Sequence, residues 1–309
     1  MKKWRWIGAI ILSFLIAIFI IAAFIYTPEE DQPSNPQEQK ETTDITPAQE
    51  SEPDMEEEIP EEETQTGEND SKLSEELREV FTGVIESARD LFLKDNLNIV
   101  AIGDSLTQGV GDSTEKGGYI GILEGTFHSN DESARVDIEN FGKRGNRTDQ
   151  LLKRMESEEI SNSITNADLV LITIGANDVM KVVKNNFTSL DYQDFVEAQE
   201  DYENRLHDII QRVEELNPDA QVYLLGLYNP FNQYFTNIPE LGQIMGDWNA
   251  ISRGVINDYE QATFIPIRDL FEGSEEELLW EEDFFHPNER GYKKMAERVL
   301  EYIREDIEQ

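Results

Sequence analysis

Gly103-Asp104-Ser105-Leu106-Thr107 places a hydroxyl directly after a short apolar run. Two further apolar runs end in a glycine backbone and a carboxamide, Gly142-Lys143-Arg144-Gly145-Asn146 and Gly175-Ala176-Asn177-Asp178. Near the C-terminus, Asp283-Phe284-Phe285-His286-Pro287 sets an acid three residues before an imidazole. These are the parts of a serine acyl-transfer site. A serine hydroxyl is a poor nucleophile until a base within hydrogen-bond reach takes its proton. The base needs a carboxylate to hold its tautomer and to stabilise the imidazolium. The carbonyl oxygen becomes an oxyanion and needs preorganised N–H donors. Ser105 is then the nucleophile, His286 the base and Asp283 its orienter. The oxyanion donors are the backbone N–H groups of Ser105 and Gly145 and the side-chain amide of Asn177. Glycine suits position 145 because a backbone N–H reaches a substrate only where no side chain stands in the way.

Taken one at a time, these residues also suit ordinary roles. Ser105 fits a helix N-cap, Asn177 or Asp178 fits another, and His286 fits a turn before Pro287. The other two histidines, His128 and His207, fall in helical patterns without a catalytic partner and read as surface or packing residues.

The elements that must position these residues alternate in type. Apolar runs of strand length occur at 97–102, 136–141, 169–174, 222–227 and 263–267, with helical patterns at 192–216, 239–260 and 289–307. Short, nearly continuous apolar strands separated by helices predict a parallel sheet covered on both faces. In such sheets ligands bind at the carboxyl ends of the strands, where the candidate residues fall.

With this order of blocks the sequence resembles the SGNH/GDSL hydrolase family, whose Ser, Gly, Asn and His match at Ser105, Gly145, Asn177 and His286, together with the Asp-x-x-His pair from Asp283. The resemblance covers roughly residue 97 to the C-terminal helix. It implies a flavodoxin-like three-layer α/β/α sandwich with a five-stranded parallel sheet. It also implies one of the family's activities, as esterase, lysophospholipase, thioesterase or carbohydrate O-deacetylase. A Gly-x-Ser-x-Gly elbow is disfavoured, because the position two after the serine is Thr107.

Other chemistries lack their residues. The absence of cysteine excludes disulfides, thiolate metal sites and a cysteine nucleophile. There is no His-Glu-x-x-His and no calcium loop, and Gly109-Val110-Gly111 near Lys116 lacks the Gly-Lys-Ser/Thr of a phosphate loop. No acid pair is placed together as a glycosidase requires. The acidic helix face of Asp191, Asp194, Glu197, Glu200 and Asp201 reads as solvated surface rather than a metal site. Neither metal nor cofactor is expected. A net charge of −39 over 309 residues argues against nucleic acid, which would be repelled.

That charge divides the chain into three segments. Residues 1–26 carry +3 and contain 20 uncharged residues at 7–26, which as a helix reach about 30 Å, a bilayer core. Lys2, Lys3 and Arg5 precede this run and Glu29, Glu30 and Asp31 follow it, predicting a single-pass anchor with an extracytoplasmic domain. A cleaved signal peptide is the rival reading, kept open by Ala22-Ala23. Residues 27–72 carry −15, include Pro28, Pro33, Pro36, Pro53 and Pro60, and read as a disordered acidic linker. Residues 73–309 carry −27 and form the hydrolase domain, its core at about 97–309. A helix over 71–94, capped by Ser71 or Ser74, is expected to pack on it.

Together these features predict a membrane-anchored serine esterase or acylhydrolase cleaving lipid or short-acyl esters. The alternatives are a cell-wall carbohydrate O-deacetylase using the same site, or a catalytically silent tethered binding module. Tyr228, Phe231, Tyr234, Phe235, Trp248 and Trp280 are candidates to line the crevice. Arg144 and Arg147, beside the oxyanion glycine, are candidates to meet an anionic group on the substrate.

Overall fold

The computed structural model describes residues 96–130, 135–186, 188–230 and 239–307. The expected anchor at 7–26, the linker and the helix at 71–94 lie outside these residues, as do Phe231, Tyr234 and Phe235. No helix among the described residues is long and apolar enough to cross a membrane.

Five strands, β1 (Asn96–Gly103), β2 (Arg135–Gly142), β3 (Leu169–Thr173), β4 (Gln221–Leu225) and β5 (Ala262–Ile265), form one sheet in the order β2-β1-β3-β4-β5. Every pairing is parallel. The doubly wound order puts β1 between β2 and β3, so the strands that open first in sequence share the centre of the crevice.

Both faces of the sheet are apolar because alternate residues of each strand point to opposite sides. Val100, Ile102, Val170, Ile172, Val222 and Leu224 face one layer. That layer holds α3 (Thr148–Arg154), α4 (Glu158–Thr165), α5 (Ala176–Asn185), α6 (Tyr192–Leu216) and α7 (Pro239–Ile256). Ile99, Ala101, Leu169, Leu171, Tyr223 and Leu225 face the other. There α1 (Ser105–Gln108), α2 (Gly118–Asn130), α8 (Arg268–Phe271), α9 (Glu275–Leu278) and α10 (Glu289–Ile307) contribute Leu106, Tyr119, Leu123, Phe271, Leu278, Tyr292, Met295 and Val299. The result is the expected α/β/α sandwich.

Helix α6 starts where the sequence signals it. The Asp191 carboxylate accepts from Gln193 N–H at 3.0 Å, and Asp194 reaches back to Asp191 N–H at 2.8 Å. Its buried stripe of Phe195, Tyr202, Leu206, Ile209, Ile210 and Val213 has helical spacing and lies against the sheet. Strand β4 ends two residues earlier than its apolar run suggests. The N–H and carbonyl of Leu227 are both taken by the Asn249 side chain, at 2.7 Å each, so the chain leaves the ladder there.

Candidate active site

Ser105 is the first residue of α1, and the residue that caps this helix is Asp104, whose carboxylate accepts from Leu106 N–H at 3.0 Å. The Ser105 hydroxyl is therefore not spent on capping. It donates instead to His286 Nε2 at 2.9 Å, a residue 181 positions away, with both side chains nearly buried. The other ring nitrogen, Nδ1–H, donates to Asp283 Oδ2 at 2.6 Å, which leaves Nε2 as the acceptor.

The acid and the imidazole sit on a turn that the backbone closes tightly. Trp280 N–H donates to the His286 carbonyl at 2.8 Å and Phe284 N–H to the Trp280 carbonyl at 2.8 Å, while Leu279 and Pro287 pair in a short antiparallel bridge. Phe284 takes φ +49°, an unusual conformation for a bulky residue and the corner of the turn. Asp283 Oδ1 accepts from the N–H groups of Phe285 and His286, at 2.9 and 3.0 Å. Partial burial alone would raise the Asp283 carboxyl. The hydrogen bonds and charge of His286 and the N–H of Phe285 outweigh burial and hold it below the usual carboxylate range. Gly111 packs against this turn so closely that a Cβ there would lie 2.5 Å from the Pro287 carbonyl oxygen.

On the other side of Ser105, the chain leaving β2 forms the turn Lys143-Arg144-Gly145-Asn146, closed by Asn146 N–H to the Lys143 carbonyl at 3.1 Å. Gly145 has φ +78°, the conformation a type II turn requires at its third position, and a Cβ there would meet nothing within 4 Å. Its N–H and that of Ser105 have no hydrogen-bond partner among the described residues. Asn177 uses one amide proton on the Asn146 carbonyl at 2.9 Å, leaving its second uncommitted. The three residues expected as oxyanion donors thus carry N–H groups with no internal partner.

The turn is held from several sides. Lys143 N–H donates to the Gly103 carbonyl and Arg144 N–H to Gln108 Oε1. Beyond it, buried Asp178 accepts from Thr148 N–H at 3.0 Å and from the Thr148 hydroxyl at 2.6 Å, and Arg205 reaches both residues. Asp178 is thus no helix cap; it ties α5 to α3 beside the Lys143–Asn146 turn. Burial pushes its carboxyl up, against the hydrogen bonds from Thr148 and the charge of Arg205.

Asp104 carries no functional expectation from sequence. It is 1% exposed and its carboxylate meets only neutral donors, Leu106 N–H and the Thr173 hydroxyl at 2.9 Å. Burial pushes it up to about 7 against those hydrogen bonds. The Thr173 hydroxyl also meets that of Thr107 at 2.6 Å, so a polar network underlies the Ser105 turn.

A crevice open to solvent runs from Ser105 along Leu106, Ala176, Met180, Leu227, Tyr228, Pro230, Met245 and Phe285. Of the aromatic candidates, Tyr228 lines it. Trp248 is fully buried in the core against Tyr202, with ring centroids 4.3 Å apart, and Trp280 backs the Gly111 loop. Arg147 is engaged by Asp149 through two bonds of 2.9 Å, whereas the exposed Arg144 side chain has no partner among the described residues. His207 lies at the surface beside Tyr259 and Asp258, away from this site. Among the described residues no group of three or more acids, histidines or cysteines is placed to hold a metal ion.

Residues 101–294 match the model of the GDSL-like lipase/acylhydrolase family. The chain is 36% identical over 222 residues to the uncharacterized protein YpmR of Bacillus subtilis, covering 72% of this chain and 87% of that protein. It is 27% identical over 210 residues to the spore germination lipase LipC of Bacillus licheniformis, covering 66% of this chain and 94% of LipC. Among solved structures, the lipase Lip_vut3 from a goat rumen metagenome superimposes with a TM-score of 0.57 at 26% identity, covering 66% of this chain and 95% of that one. With the family model spanning well over half its length, the chain belongs to the GDSL-like lipase/acylhydrolase family of ester-cleaving hydrolases.

Proposed function

We propose that the protein is a serine esterase working through an acyl-enzyme on Ser105. The observation that carries this reading is the unbroken relay from Ser105 Oγ to His286 Nε2 at 2.9 Å and from Nδ1 to Asp283 at 2.6 Å, beside three uncommitted N–H donors. His286 Nε2 takes the hydroxyl proton as Ser105 Oγ bonds to the ester carbonyl carbon. The oxygen's charge is received by the N–H groups of Ser105, Gly145 and Asn177. Asp283 stays ionised and stabilises the imidazolium. Nε2–H then protonates the departing alcohol as the carbon–oxygen bond breaks. In the second half, a water molecule gives its proton to Nε2 while attacking the acyl carbon, and the carboxylic acid leaves Ser105 with its hydroxyl restored.

The crevice walls are almost wholly apolar, which favours an ester with a hydrocarbon acyl group over a carbohydrate acetate. The uncharged run at 7–26 supports a membrane tether, with the domain held on the extracytoplasmic side by the acidic linker.

Hydrolysis of p-nitrophenyl acetate, butyrate and octanoate by the full chain tests this. Butyrate or octanoate is expected to turn over faster than acetate, and Ser105→Ala to abolish all three. Persistence of activity in a folded Ser105→Ala variant overturns the nucleophile. A strict preference for acetate moves the substrate toward the O-deacetylase reading.

A further inference from the structure

Resting on the esterase reading, we propose that Arg205, on α6, is a positioning residue for the oxyanion site: through Thr148 and Asp178 it fixes Asn177 relative to Gly145 and thereby sets kcat. Two of the three oxyanion donors come from different elements. Gly145 lies on the turn after β2, and Asn177 is the second residue of α5. One oxygen is received by both only if turn and helix keep a fixed separation. Two neighbouring rungs set it. Asn177 donates to the carbonyl of Asn146, the residue after Gly145, at 2.9 Å. Beside that bond, Asp178 accepts from the Thr148 N–H at 3.0 Å and from the Thr148 hydroxyl at 2.6 Å. The first rung ends on a side chain that turns about two bonds. The second ties the residue next to it in α5 to the chain leaving the turn, and so decides where that side chain starts. Arg154 holds the turn from the other side, donating to Asn146 Oδ1 and the Phe141 carbonyl at 2.8 and 2.7 Å.

The second rung needs a charged carboxylate in an unfavourable place. Asp178 is 3% exposed, and burial pushes its carboxyl up, a direction that Asp149 reinforces. Once protonated, one of its oxygens carries a hydrogen and the rung loses an acceptor. Arg205 opposes this with its charge, its Nη2 lying 3.4 Å from Asp178 Oδ1. It also donates from Nε to Thr148 Oγ1 at 2.8 Å. The Thr148 hydroxyl has one proton, and accepting from Arg205 turns that proton toward Asp178. The third guanidinium nitrogen, Nη1, meets Asp201 at 3.4 Å on the solvent side. One turn earlier on the same helix, Tyr202 underlies the start of α5: a Cβ on Gly175 would lie 2.8 Å from its hydroxyl. Arg205, Thr148 and Asp178 are absent from the crevice walls, so Arg205 acts on the reaction through Asn177.

The test is a double-mutant cycle on the full chain in non-ionic detergent, with p-nitrophenyl butyrate as substrate. Arg205→Gln should lower kcat about tenfold with KM changed less than about twofold, because the oxyanion forms only on the way through the reaction. Asn177→Ala should itself cost about 10²–10³ in kcat, and adding Arg205→Gln to it should cost less than about twofold more. Arg205→Lys keeps the charge without the planar fork, and its kcat should fall between wild type and Arg205→Gln. An equal fold loss in both backgrounds would mean a general effect on the fold and overturns the inference. So does an unchanged kcat in Arg205→Gln, a loss expressed in KM, an Arg205→Lys variant worse than Arg205→Gln, or an Asn177→Ala variant as active as wild type. If Arg205→Gln does not fold, Thr148→Val replaces it in the cycle, keeping size and removing the hydroxyl arm of the rung. If the wild type hydrolyses no ester, the esterase reading fails by itself. The side-chain amide of Asn177, followed by nitrogen NMR, then decides on Arg205. A shifted resonance with faster proton exchange in Arg205→Gln supports the positioning role, and an unaltered one overturns it.

Discussion

Asp104 stands directly before the proposed nucleophile, buried and facing only neutral donors, and this makes it a stability liability at neutral pH. Burial takes its carboxyl from the usual 3.8 up to about 7, so the folded state keeps a proton that the unfolded chain has released. A raised acid weakens folding as pH rises between those two values and leaves a constant deficit above them. The deficit is on the order of a few kcal/mol. Asp104→Asn retains an oxygen to accept from Leu106 N–H and the Thr173 hydroxyl and carries no charge. Its melting temperature should match the wild type at pH 4, exceed it progressively up to pH 7, and stay above it at pH 8. A difference that does not change with pH would show that the folded carboxyl ionises as readily as in the unfolded chain, its charge compensated by its surroundings.

At the scale of elements, the site depends on loops that the helices and strands pin in place, and Tyr228 is the clearest pin. Its ring stacks on Phe271 at 4.0 Å between centroids, and its hydroxyl donates to the Phe285 carbonyl at 2.6 Å, one residue before His286. Tyr228→Phe keeps the stack and loses the bond, which on typical values costs about 1 kcal/mol of stability. Because the turn carries both Asp283 and His286, kcat on p-nitrophenyl butyrate should fall about tenfold with KM little changed. An unaltered kcat would mean that the Trp280–Phe284 and Trp280–His286 backbone bonds hold the turn unaided. The elements themselves were readable from sequence where a periodic apolar stripe meets a cap, as at α6, whose limits match the pattern at 192–216. Residue pairings across long separations were not. Nothing local to Leu227 announces that Asn249 will take its backbone, or that Asp178 will serve Thr148 rather than a helix end. Trp248 shows the same limit, since an amphipathic pattern says that an aromatic ring is buried but not whether it faces core or crevice.

For the whole molecule, charge sets the conditions under which the packed domain survives. Residues 73–309 hold 48 acids and 21 basic residues, so even if every base found a partner, 27 acids would remain to repel one another. Ion pairs such as Arg298–Asp269 at 2.7 Å and Lys294–Glu297 at 3.3 Å lie at or near the surface, where each is worth about 0–1 kcal/mol. Repulsion acts over longer distances than these contacts and relaxes when the chain unfolds and its charges move apart. Salt therefore works against the pairs weakly and against the repulsion strongly. The screening length falls from about 30 Å at 0.01 M to about 3 Å at 1 M. Across that range the domain passes from every acid sensing every other to each sensing only its neighbours. The melting temperature should rise by several degrees between 0.02 and 0.5 M sodium chloride and then level off. At pH 5 the rise should be smaller, since partial protonation of the carboxylates thins the excess charge. Calorimetry at both pH values distinguishes this from a general salt effect on apolar burial, which would continue upward without a plateau and ignore pH. A melting temperature that falls with salt would mean that the ion pairs outweigh the excess charge.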